Sequence, residues 1–153
     1  MEKVTLKLFE FYNLEAELNG VVNQQTGETV SKGLLNEKIK LTTKYWLTDL
    51  AKKVSEEKQA VEKLKDELIK KHGQADESGN VSIPMYSKIE RDEDGKITSA
   101  EPNPKYIEFQ ADFNKLLQEE RDLEYKPLSL TDFESVESDG NYTTFFKLIK
   151  VDE

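Results

Sequence analysis

The residues best suited to chemistry lie in one short run, Glu90-x-Asp92-x-Asp94-Gly95-x-Ile97-x-x-x-Glu101. A calcium loop of the EF-hand type wants carboxyl oxygens at its first, third and fifth positions, glycine at the sixth, an apolar residue at the eighth and a bidentate glutamate at the twelfth. Counted from Glu90, every slot holds a chemically suitable residue, and Thr98 falls at the ninth. The candidate ligands are therefore Glu90, Asp92, Asp94, Thr98 and Glu101. Two features oppose calcium. The first position is normally aspartate, and an EF-hand needs a helix on each side, whereas Pro84 precedes this loop and Pro102 and Pro104 follow it. An acidic hairpin turn that satisfies the spacing by chance is the simpler reading. No other cofactor is expected.

Catalysis has little to draw on. His72 is the one histidine and there is no cysteine, so a nucleophile–base pair of the usual kind cannot be assembled. His72 ends a helical pattern, where an imidazole interacts well with the helix dipole. Carboxylates are too abundant for an adjacent pair such as Glu119-Glu120 to be informative, since neighbouring helical residues do not face each other. Neither a glycine-rich phosphate loop nor a metal-type histidine spacing occurs. The expectation is a protein that is not an enzyme.

The elements that must position these residues are mostly helical in pattern. Leu8, Phe11, Tyr12, Leu14 and Leu18 recur at three- and four-residue steps and predict a leader helix over 5–19, stopped at Asn19-Gly20. Thr42 or Thr43 can cap a long helix over 43–72 that ends before Gly73. Leu47, Leu50, Val54, Val61, Leu64 and Leu68 form its heptad seam, with Glu57 at the one position where an apolar residue is skipped. Asn103 and Pro104 open a second helix over 104–122, with Tyr106, Phe109, Phe113, Leu116 and Leu123 at matching steps. Between the helices, 74–103 carries two turn signals, Asp76–Asn80 and Asp92–Gly95, and reads as an acidic β-hairpin. Residues 123–153 read as an extended tail with a short terminal element. The expected fold class is mainly α in a single domain over 1–153: an antiparallel long-helix hairpin of coiled-coil type, with an N-terminal helix and a small acidic β-hairpin at the tip.

Charge agrees with that pairing. Residues 41–72 hold eight lysines against six acids, while 104–153 hold six basic residues against twelve acids. Over the whole chain 31 acids face 22 basic residues, a net charge of −9, which opposes nucleic acid or anionic lipid as a main partner. No apolar run approaches the roughly 20 residues that span a bilayer. With 36% apolar and 35% charged residues, the core must be thin and helices elongated.

Protein–protein contact is the remaining route to function. Tyr45 and Trp46 open the long helix, and they read either as core on Phe11 and Leu14 or as an anchor for a partner, since interface hot spots favour Trp and Tyr. The interface candidates are Tyr45, Trp46, Val54, Val61, Leu64 and Leu68.

The stretch Lys38-Ile-Lys-Leu-Thr-Thr-Lys-Tyr-Trp-Leu-Thr-Asp-Leu-Ala-Lys-Lys, then Glu67-Leu-Ile-Lys-Lys-His-Gly and Asp76-Glu-x-Gly-Asn, resembles a family of small tailed-bacteriophage proteins of unknown function. Members share a leader helix, a lysine-x-x-tyrosine opening to a long charged helix, a leucine-isoleucine-x-lysine-tyrosine-glycine exit and an acidic turn. A helix rich in Phe, Leu and Glu follows, matched here by Phe109 to Glu124. The resemblance covers about 38–130. The chain departs from it by inserting Met85–Glu101 and by His72 where the pattern has tyrosine. The family supplies no catalytic residues. The resemblance implies a viral protein made in the host cytoplasm and sited in the virion, a structural or assembly component whose partners are other phage structural proteins and itself, as an oligomer. The alternative is an acidic inhibitor or accessory protein whose C-terminal charge occupies a basic groove on a host enzyme.

Overall fold

The computed structural model describes residues 1–137 and 140–150. The first elements are β1 (Glu2–Lys7), α1 (Leu8–Asn19), β2 (Val21–Val22), β3 (Thr29–Ser31) and α2 (Leu41–His72). Next come β4 (Gln74–Ala75), β5 (Val81–Ser82), β6 (Tyr86–Arg91), β7 (Ile97–Pro102) and α3 (Pro104–Leu117). The last described strands are β8 (Glu120–Tyr125), β9 (Leu128–Ser129) and β10 (Ile149–Lys150). Short 3₁₀ turns occupy Leu34–Asn36, Leu130–Phe133 and Phe145–Leu148. The chain divides into two compact units: Met1–Gln59 with Glu119–Glu153, and Ala60–Gln118.

This is an α/β mixture, and it overturns the mainly α helical hairpin. Helices take 47% of the residues and strands 25%, and every sheet among the described residues has two strands. Two segments account for most of the difference. Residues 2–7 are strand, so the leader helix begins at Leu8, and 120–125 are strand, so α3 stops at Leu117 with Gln118 as its C-cap. The two strands pair antiparallel, from Glu2 opposite Tyr125 to Lys7 opposite Glu120. Leu6, Leu123 and Tyr125 are buried while Thr5 and Asp122 bond on the opposite face at 2.7 Å, the two-residue alternation of a half-buried sheet. Leu123 thus belongs to a strand, although it also falls seven residues after Leu116.

The first unit holds the larger core. Leu8, Phe11, Leu14 and Leu18 line the buried stripe of α1, and α2 contributes Leu47, Leu50, Ala51 and Val54. Gly20 and Gly33 let backbones meet closely: a Cβ on Gly33 would lie 2.3 Å from the Gly20 nitrogen, and its φ of +81° suits glycine. The seam of α2 changes unit near its skipped position. Glu57 accepts from the Arg121 guanidinium at 3.1 Å in the first unit, and the residues beyond Gln59 belong to the second.

The C-terminal segment is fixed by a carboxylate. Glu17 is buried, and its Oε1 accepts the backbone N–H of Thr144 at 2.9 Å and of Phe145 at 3.2 Å, where the last 3₁₀ turn begins. Its Oε2 is buried with no hydrogen-bond partner. Burial pushes the Glu17 carboxyl above its ordinary range, opposed but not outweighed by the Phe145 and Thr144 hydrogen bonds. The folded chain therefore retains this proton over a pH window in which the unfolded chain has released it. The stability it contributes is full below the ordinary carboxylate value and falls as pH rises through the raised one. Glu17→Gln keeps an acceptor for both amides and removes the titration. In urea unfolding, the variant should gain stability over the parent as pH rises above the ordinary glutamate value of about 4; a pH-independent difference contradicts this.

Candidate interaction surface

The second unit has little interior. Val61 and Phe109 are its buried apolar residues among those described. Its helices are joined by side chains. His72 Nε2 lies 3.0 Å from Asp112 Oδ2, and Nδ1 lies 3.6 Å from Glu108. The Lys65 ammonium sits 5.5 Å above the Phe113 ring, which stacks on Phe109 at 5.9 Å. His72 therefore ties the last turn of α2 to α3, with no second nucleophilic or basic group beside it in these contacts. Asn103 caps α3 by accepting the Lys105 N–H at 3.1 Å, and its amide donates to the Pro84 carbonyl at 2.8 Å. That double role fixes where β6 starts relative to α3.

Between these anchors runs a two-stranded ribbon, β6 with β7, in which all twelve strand residues are exposed. Its turn is built by Asp92, whose Oδ1 accepts the N–H groups of Asp94 at 3.0 Å and Lys96 at 2.9 Å. Gly95 completes the turn at φ +82°. The register sets Lys88 opposite Glu101, Ile89 opposite Ala100, Glu90 opposite Ser99 and Arg91 opposite Ile97. Directly opposed residues share a face, so Lys88, Glu90, Ser99 and Glu101 form a polar face. Tyr86, Ile89, Ile97, Ala100 and Pro102 form an apolar one, with Arg91 beside Ile97. Tyr86 is 41% exposed, Ile89 44% and Ile97 54%. An isolated two-stranded ribbon is marginal in water, and an uncovered apolar face is characteristic of a binding surface.

The same register separates the calcium candidates. Asp92 and Asp94 sit at the turn, while Glu101 pairs with Lys88 at the far end, roughly 13 Å away at the usual strand rise. Glu90 is held by the Lys88 ammonium at 3.0 Å, and Thr98 donates to the Glu90 carbonyl at 3.3 Å. Extended backbone replaces the compact loop because Ile97 to Pro102 pairs with β6. Among the described residues no group of three or more His, Cys, Asp or Glu is arranged to hold a metal ion.

The other interface candidates divide between the units. Val54 is fully buried in the first, where it is core. Tyr45 is exposed and meets the half-buried Trp46 edge-on at 5.0 Å, with Lys126 5.7 Å over the indole. In the second unit Val61 is buried, whereas Leu64 is exposed and Leu68 half-buried beside a groove shared with Leu116. Comparison with known protein families, with curated proteins and with solved structures yields no match. The turn signals place an exposed hairpin here but do not disclose its amphipathicity. The signal lies in Tyr86, Ile89 and Ile97, which fall on one face only once the register and its two irregularities are known. Among the described residues no helix is long and apolar enough to cross a membrane.

Titration of the chain with calcium to about 1 mM, the range of the weakest EF-hand-type sites, is expected to give no saturable heat. Saturable binding would mean that the β6–β7 turn opens and Glu101 leaves its strand.

Proposed function

We propose that this chain is a structural or assembly protein of a phage particle, acting through protein–protein contacts without catalysis or a cofactor. The observation that carries the reading is the β6–β7 ribbon, whose apolar face finds no cover in its own unit. A surface of this kind is stabilised when a partner removes it from water, at about 25 cal/mol per Å² of apolar area. Leu64 and the exposed Tyr45 add smaller apolar patches of the same character. The phage assignment rests on the resemblance over 38–130, from which the chain departs by inserting Met85–Glu101, the segment that holds nearly all of the ribbon.

Mass spectrometry of purified particles tests this. The chain is expected in stoichiometric amounts, with the ribbon cross-linked to a structural protein or to another copy. Absence from particles, with recovery on a host protein instead, contradicts it and favours the acidic accessory protein.

A further inference from the structure

We infer that the outer edge of β6 is a self-recognition edge, pairing antiparallel with β6 of a second copy about a twofold axis centred on Ile89. This rests on the reading of the ribbon as a contact surface and names its partner. Both ribbon strands are edges, with backbone donors and acceptors directed outward, and such edges add further strands. The two are not equivalent. β7 ends in Pro102, which has no N–H, and its ladder skips Thr98, between the pairs Glu90–Ser99 and Arg91–Ile97. β6 contains no proline, and although its register shifts between Tyr86 and Lys88 and again between Glu90 and Arg91, Lys88-Ile89-Glu90 is continuously paired.

Charge selects the partner and the register. A twofold axis normal to the ribbon sets residues of the same face opposite one another. Centred on Ile89, it places Ile89 against Ile89 and each Lys88 against Glu90 of the second copy. Centred on Lys88 or on Glu90 it would oppose like charges, which is destabilising. A lysine on an edge strand usually discourages pairing; the sequence Lys88-Ile89-Glu90 makes it self-complementary instead. Lys88 and Glu90 are 61% and 54% exposed and already meet at 3.0 Å within one chain, so both are free to exchange partners across the edge. The two Ile89 side chains meet at the centre of a four-stranded sheet, a size that a ribbon alone does not reach.

Sedimentation equilibrium on the full chain and on charge variants is the test. The parent is expected to self-associate, and Lys88→Glu and Glu90→Lys each to weaken it by roughly tenfold. The double swap K88E/E90K should restore association. An equimolar mixture of the two single variants should form a heterodimer, since one strand then carries acids at both flanking positions and the other carries lysines at both. Both substituted positions are on exposed strand, and far-UV circular dichroism verifies that each variant folds. Unchanged association in the single variants, or a mixture no tighter than either alone, overturns the inference. A parent that stays monomeric at about 1 mM overturns it as well. If that monomer is still found in particles, the assembly reading stands without self-pairing; a dimer through β6 that is absent from particles has the opposite meaning.

Discussion

The pairing of Glu2–Lys7 with Glu120–Tyr125 is the constraint on which the rest depends. It joins segments more than a hundred residues apart and closes the first unit around them, with the Leu8 N–H extending the ladder to the Glu119 carbonyl at 2.9 Å. Because the chain leaves this unit at Gln59 and returns at Glu119, everything between is an insertion anchored at both ends. Loop closure over such a length costs only slightly more than over half of it, since the entropic term grows logarithmically. The buried alternation of Leu6, Leu123 and Tyr125 supplies the compensating apolar burial. The last segment is then fastened to the same unit by Glu17 and by ion pairs from Lys147 to Glu10 and Lys150 to Glu2.

Within the insertion, local chemistry does what burial cannot. Asp92 folds the turn with its own carboxylate, Asn103 caps α3 while holding the Pro84 carbonyl, and His72 bridges to Asp112. Each is a polar device that shapes backbone without removing much apolar surface from water. The ribbon is consequently ordered in register yet uncovered. That combination, a preformed strand edge beside an unburied apolar face, lowers the ordering cost of association and leaves its hydrophobic gain available.

Local signals make part of this legible. The cap at Asn103-Pro104, the turn at Asp94-Gly95 and the stop at Gly73 are short-range chemistry, and the observed elements begin and end beside them. The long helical pattern of 43–72 lies within α2. What stays hidden is nonlocal. Lys3-Val4-Thr5-Leu6 has too few residues to separate a strand period from the start of the helix after it, and only its distant partner decides. Leu123 fits a heptad step and a strand alternation equally well. Glu17 looks like any other acid on a helix, because its role depends on amides 127 and 128 residues away. The skip at Glu57 is visible, but a broken seam and a helix shared by two units leave the same trace in sequence.

If the ribbon is a contact surface, its outer edge and apolar face are open in the free chain and covered in the assembly. Amide hydrogen exchange over Tyr86–Arg91 reads this directly. The outward-directed amides should exchange rapidly in dilute free chain and slowly in purified particles. Equal rates in the two states would contradict the account.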